Sequence, residues 1–170
     1  MAPTETTAVH LAPIASLDGD GPVDADELGV KAARLATLRR QGHPVPPGFV
    51  LTTSFLRAAD DAAVAAAAAE VWQRLGGLPV AVRSSAVAED RADASFAGLY
   101  ESVLDVGGVP ALMEAIGRVR RSASDARVAR YDPDAAGGAI AVLVQPMVPA
   151  EVAGVAFGAD PVTGERGVVI

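Results

Sequence analysis

The 170-residue chain has no cysteine, two histidines, one lysine, and aromatic side chains at only 4% of positions. Without cysteine there is no disulfide, no thiol nucleophile and no thiolate metal site, and a reducing cytoplasm is the expected setting. His10 lies near the N-terminus and His43 in the turn Gln41-Gly42-His43-Pro44. Two such scattered imidazoles make neither a metal triad nor a histidine-centred relay, and both read as surface or loop residues. No apolar run reaches the ~18 residues of a membrane span, and Met1 to Thr7 has neither the basic nor the apolar region of a secretion signal. Positive charge is scarce as well: 14 basic residues stand against 21 acidic ones, for a net charge of -7. Nucleic acid and anionic membranes demand a basic stripe, so neither is an expected partner, and any anionic ligand must be small and locally cradled.

What is present is a chain that can bury a core. Hydrophobic residues make up 51% of it, enough for one domain or two small lobes. Residues 1–9 read as a disordered tail, 10–17 as a short strand and 18–27 as an acidic loop. Apolar spacing predicts a helix over Lys31 to Arg40, stopped by Gly42 and Pro44. Pro46-Pro47-Gly48 turns the chain into a strand at Phe49 to Leu51. Thr52 or Thr53 caps one helix running through the alanine-rich stretch to Leu75-Gly76-Gly77, with Leu56, Val64, Val71, Trp72 and Leu75 as its buried stripe. A strand over Pro79 to Arg83 precedes a long loop over 84–100, and Ser102 to Val106 returns as a strand. Val109, Leu112, Met113, Ile116 and Val119 mark an amphipathic helix, followed by a helical piece over about 123–130. Ala139 to Met147 and Val152 to Phe157 read as strands, and a third begins at Gly167. There is no internal repeat, and the pattern is α/β (α+β).

Three places suggest chemistry. Lys31, the lone ammonium, sits in Leu28-Gly29-Val30-Lys31-Ala32-Ala33, where loop turns to helix. It reads either as a compact charge on a phosphate beside a helix N-terminus or as a lysine on a solvated helix face. Arg83 ends an apolar strand in Val80-Ala81-Val82-Arg83-Ser84-Ser85-Ala86. There it can bridge phosphate oxygens, with Ser84, Ser85, Ser95 and the amides around Ala97-Gly98 closing over them, or it can pair with Glu89 or Asp90. In Val142-Leu143-Val144-Gln145-Pro146-Met147-Val148, Gln145 can read an adenine edge with Met147 on the ring. The alternative is a buried glutamine and a core methionine.

Together these segments resemble the nucleotide-binding domain of the phosphoenolpyruvate synthase, pyruvate phosphate dikinase and rifampin phosphotransferase family. The resemblance rests on Leu28-Gly29-Val30-Lys31-Ala32-Ala33-Arg34-Leu35 with Pro44-Val45-Pro46-Pro47-Gly48-Phe49-Val50. It continues through Val82-Arg83-Ser84-Ser85-Ala86 to Ala94-Ser95-Phe96-Ala97-Gly98. Its last segments are Val144-Gln145-Pro146-Met147-Val148, Ala153-Gly154-Val155-Ala156-Phe157 and Asp160-Pro161-Val162-Thr163-Gly164-Glu165. It spans the chain from about residue 10 onward in the family's order. Two departures stand out. Val30 replaces the usual second glycine, adding a side chain near the phosphates, and Gly158-Ala159 stands where a hydroxyl residue commonly precedes Asp-Pro.

The resemblance implies an ATP-grasp-like fold, incomplete at the C-terminus. It divides into a first subdomain over 10–107 with the phosphate loop and a truncated second one over 108–170 with the adenine hinge. It makes Lys31 and Arg83 phosphate ligands, Gly98 and Ser102 contributors to the phosphate loop, and Gln145, with Met147, the adenine contact. ATP and Mg2+ are the implied cofactors, with metal ligands outside this chain and no catalytic residue within it. The implied activity is that of an ATP-dependent dikinase or phosphotransferase, in which ATP gives AMP and phosphate and a phosphoryl group reaches pyruvate or another small acceptor through a histidine. The acidic metal-binding strands, the phosphohistidine domain and the substrate domain would lie beyond Ile170. The chain would then not complete turnover unaided, and an exposed sheet edge would favour self-association. The alternative is a non-catalytic nucleotide-binding or interaction module acting with a separately encoded remainder, such as a phosphohistidine or substrate domain.

Overall fold

A computed structural model describes residues 13–87, 101–122, 140–160 and 163–169. In chain order the elements are β1 (Ile14–Ser16), α1 (Ala25–Arg40), β2 (Phe49–Leu51), α2 (Thr53–Ala58), α3 (Asp61–Arg74), β3 (Val80–Ala86), β4 (Ser102–Val106), α4 (Val109–Ser122), β5 (Ile140–Pro146), β6 (Phe157–Ala159) and β7 (Arg166–Val169). The first five strands form one sheet in the order β1-β2-β5-β3-β4, and every neighbouring pair is antiparallel. β6 and β7 form a separate two-stranded antiparallel hairpin.

The sheet has helices on both faces because its central strands are apolar on both. Along β5, Val142 and Val144 point to one core, with Val80 and Val82 of β3, Leu56 of α2, Val64 and Val71 of α3, and Leu112, Ile116 and Val119 of α4. Ala141 and Leu143 point to the other core, with Val50 of β2 and Leu28, Ala32, Ala33 and Ala36 of α1. The small residues along α1 let its backbone lie close to the strands. Helices α3 and α4 fill the opposite side, where Leu112 and Val119 are fully buried.

Local chemistry sets where the helices begin and end. Asp24 caps α1 by accepting from the amide of Asp26 at 2.9 Å, and the helix closes with His43 N bonded to Leu38 O and Gly42 N to Arg39 O, with Gly42 at a φ of 86°. That pairing of outer and inner bonds around a left-handed glycine satisfies carbonyls the helix end would leave bare. One helix was expected from Thr52 to Leu75, and two are found. Thr52 caps α2, the chain turns extended at Ala59, and Asp60 accepts from Ala63 N at 2.8 Å to start α3. A strong N-cap inside an alanine-rich stretch starts a new helix where propensity alone would continue the old one.

Other expectations shift in the same way. β3 does not yield to a loop at Ser84: it stays paired with β5 through Ala86, where Ala86 meets Ile140. The strand expected over Val152 to Phe157 is absent from 152–156, and pairing begins only at Phe157. Val152 and Val155 are both exposed, so those apolar side chains have no core in this structure to draw them into a sheet. The expected tail over 1–9, the loop over 88–100 and the helical piece over 123–130 lie outside the described residues. β5 comes from beyond residue 107 yet lies between β2 and β3, so one sheet and its cores draw on both sides of that position.

Candidate functional site

The register of β3 brings three of the sequence-derived site residues, Arg83, Ser102 and Gln145, to one face. Arg83 is paired with Leu143 of β5, Ala81 with Gln145 and Ser85 with Ala141, and paired residues on adjacent antiparallel strands project to the same side. Leu143 and Ala141 belong to the core under α1, so Arg83, Ser85 and Gln145 share that helix's face of the sheet. On the other flank of β3, Arg83 is paired with Ser102 of β4, which extends the row to an exposed hydroxyl.

Lys31 joins this row through its side chain. Its Nζ donates to Ser84 O at 2.8 Å, across 53 positions of sequence. The acceptor belongs to the residue directly after Arg83, so the ammonium sits one peptide along the strand from the guanidinium's own backbone. Arg83 is half-buried, and its side chain has no hydrogen bond or ion pair among the described residues. Glu89 and Asp90, its alternative partners in the sequence, lie outside the described residues, and a half-buried guanidinium is chemically able to hold an anion because the field of a partly desolvated cation is weakly screened.

The way α1 meets β3 was not read from the sequence. At Gly29 the helix is broken, with φ 71° and ψ 159°, and the main helical stretch starts immediately afterwards. A Cβ there would stand 2.0 Å from Ser85 O and 2.4 Å from Ser85 Oγ, so the strand's backbone occupies the space a side chain would need. Ser85 Oγ then accepts from Ala32 N at 2.9 Å, satisfying an amide that the restarted helix leaves unmatched. The signal was present as a glycine before a helix and a serine after a strand, but nothing in the sequence pairs them across that distance.

Two serines read together in the sequence separate in space. Ser84 is paired with Val142 and so faces the α2–α4 core, where its buried Oγ has no hydrogen-bond partner. It cannot close over a ligand on the Arg83 face. Val30 lines a cavity of about 440 Å3 on the outer side of α1 with Ala25, Ala33, Arg34, Thr37 and Leu38.

Gln145 is buried, and its Nε2 donates to Pro46 O at 3.0 Å. The amide therefore ties β5 to the loop before β2, and Oε1 makes no hydrogen bond among the described residues, which leaves an acceptor for an amino group. Gly48 permits this approach, since a Cβ there would stand 2.8 Å from Gln145 Cγ. Met147 follows the end of β5, is 36% exposed, and is held by its amide to Pro79 O at 2.9 Å. Gly98, with Ser95 and Ala97, lies outside the described residues, as do Glu89 and Asp90. Among the described residues no group of three or more His, Asp or Glu side chains could hold a metal ion, and no helix is long and apolar enough to cross a membrane.

The Lys31 ammonium on the carbonyl next to Arg83, a helix start bonded to the same strand and the Gln145 amide on the same face of the sheet belong to one α/β domain. Residues 56–170 match the family described as pyruvate phosphate dikinase, AMP/ATP-binding domain, and the chain belongs to that family. The chain is 33% identical over 185 aligned residues to the prodigiosin synthesizing transferase PigC of Serratia marcescens, an alignment covering 92% of this chain and 21% of that protein. It is 32% identical to a probable phosphoenolpyruvate synthase of Methanothermobacter thermautotrophicus, over 88% of this chain and 29% of that protein. It is also 32% identical to a rifampicin phosphotransferase of a Streptomyces species, over 82% of this chain and 22% of that protein. The chain thus spans less than a third of the length of these relatives.

Proposed function

We propose that this chain is the ATP-binding portion of an ATP-dependent dikinase or phosphotransferase of the phosphoenolpyruvate synthase type, with an ATP-grasp-like fold. The observation that carries the reading is the placement of the Lys31 ammonium on the carbonyl next to Arg83, on the face shared with Gln145. In the geometry described above, Lys31 and Arg83 would hold phosphate oxygens, Ser102 and the Gly98 segment would border them, and the Gln145 Oε1 would accept from the adenine amino group beside Met147. These residues fit a nucleotide: two cations offset the charge of a polyphosphate in a body of net charge -7, and an amide acceptor on a mostly buried side chain discriminates an amino-bearing base.

ATP, with Mg2+, supplies the phosphoryl group when bound. The chain's own part is to bind and orient it, because phosphoryl transfer depends on positioning and on charge stabilisation more than on covalent help from the protein. The relatives' names include a phosphoenolpyruvate synthase and a rifampicin phosphotransferase, which supports phosphoryl transfer to a small acceptor; passage through a histidine outside this chain is what the family resemblance implies. We assign residues 10–107 to the first subdomain with the phosphate loop and 108–170 to the second with the adenine hinge, the two sharing the five-stranded sheet, in a cytoplasmic protein.

The test is isothermal titration of MgATP into wild type, Lys31→Ala and Arg83→Ala. Each substitution removes a charge-assisted contact worth about 1.5–3 kcal/mol, so each should weaken binding by roughly ten- to a hundredfold. Equal affinity in all three proteins would remove the nucleotide assignment.

A further inference from the structure

We propose that Ser85 is a positioning residue for the nucleotide site, acting only through Lys31, an inference that rests on the reading of Lys31 as a phosphate ligand. Ser85 is fully buried, so it does not itself touch a ligand. Its role follows from a crossed pair of bonds between consecutive residues of helix and strand: Lys31 Nζ donates to Ser84 O, and Ala32 N donates to Ser85 Oγ. The first bond holds the tip of the lysine and the second holds the helix from which it projects.

The Lys31 contact does not by itself fix the distance of α1, because the several rotatable bonds of a long lysine side chain let the helix backbone shift while the ammonium stays in place. The hydroxyl removes that freedom at the backbone. It fixes the first turn after the Gly29 break against β3, and Gly29 lets the two chains approach until a Cβ would stand 2.3 Å from Ser85 C. Arg83 lies two positions earlier on the same strand and the same face, with its partner Leu143 in the core beneath α1. The Ser85 hydroxyl therefore sets the spacing between the two cations, one carried by the helix and one by the strand. Ser84 supplies an internal contrast: it is equally buried, its hydroxyl faces the other core without a partner, and only its carbonyl serves Lys31.

The experiment is a double-mutant cycle on the full chain, with MgATP affinity by titration and the thermal midpoint measured for wild type, Lys31→Ala, Ser85→Ala and the double variant. With Lys31 present, Ser85→Ala should weaken MgATP roughly three- to tenfold, the scale of one lost capping bond. With Lys31 replaced, the same change should cost less than about twofold, while the fall in thermal midpoint stays the same in both backgrounds. A merely structural serine would lower affinity equally in both backgrounds, and that outcome overturns the inference while leaving the nucleotide reading standing. If wild type and Lys31→Ala bind MgATP alike, the reading of Lys31 fails, and the positioning role fails with it. Should Ser85→Ala not fold, Ser85→Cys, which fills similar volume with a weaker acceptor, goes through the same cycle and is held to the same result.

Discussion

Replacing Gly29 with alanine reverses the usual rule for glycine in a helix. Gly29 falls within the span of α1, where alanine would normally stabilise, but its φ of 71° and ψ of 159° are outside the helical region. That backbone region is almost exclusive to glycine and costs another residue on the order of 1–3 kcal/mol. The added Cβ would also meet Ser85 O at 2.0 Å, Ser85 C at 2.3 Å and Ser85 Oγ at 2.4 Å. All three belong to a strand bonded on both sides, so the clash is relieved only by lifting α1 from the sheet, at roughly 1–3 kcal/mol for overpacking. Together these give a loss of about 2–6 kcal/mol against a total stability of about 5–15 kcal/mol for a domain. Urea unfolding should show a midpoint lowered by roughly 1–3 M, given a slope of about 1–3 kcal/mol per M. Gly117→Ala is the control. It lies in the interior of α4, where a Cβ meets only the Arg121 Nη1 tip at 3.2 Å. That side chain can move, so alanine should add about 0.5–1 kcal/mol. If Gly29→Ala unfolds at the same urea concentration as wild type or higher, the close approach of α1 to β3 is wrong, and so is the placement of Lys31 built on it.

Ser84→Ala removes a buried hydroxyl without a partner and should hold or raise stability by up to about 1 kcal/mol; a clear loss on thermal melting would show that the hydroxyl is bonded. Asp60→Ala removes the cap of α3 and should cost about 1 kcal/mol by the same measurement, while no loss would return 53–74 to a single continuous helix. Leu112→Ala empties a fully buried position shared by α4 and the sheet and should cost about 2–5 kcal/mol in urea unfolding, so a loss under 1 kcal/mol would contradict the core assignment. Val148, Val152, Val155, Phe157 and Val168 are exposed between the end of β5 and β7, and such a patch favours association. Sedimentation should show concentration-dependent oligomers, and a compact monomer at all concentrations would refute this.

The amphipathic helix α4 was legible in the sequence because Leu112, Ile116 and Val119 repeat at helical spacing and all are buried. β5 was legible for a different reason: an unbroken apolar run suits a strand covered on both faces. The division between α2 and α3 was less so, since Asp60 resembles any surface acid until its carboxylate is seen on Ala63 N. The segment 152–156 misled because apolar residues look like a strand whether or not a partner exists.

The residue types alone determined that the ligand should be small, anionic and locally held, because one ammonium, one strand-end guanidinium and a net charge of -7 leave no surface for a larger polyanion. They also determined which side chains carried that charge. Tertiary structure alone decided where these groups stand relative to one another. The register between β3 and β5 assigns Arg83 and Gln145 to one face and Ser84 to the other, and a shift of one residue would exchange them. The bonds from Lys31 and Ala32 to Ser84 and Ser85 span 53 positions of sequence. No local pattern encodes a contact that distant, since it exists only once α1 has packed against the sheet.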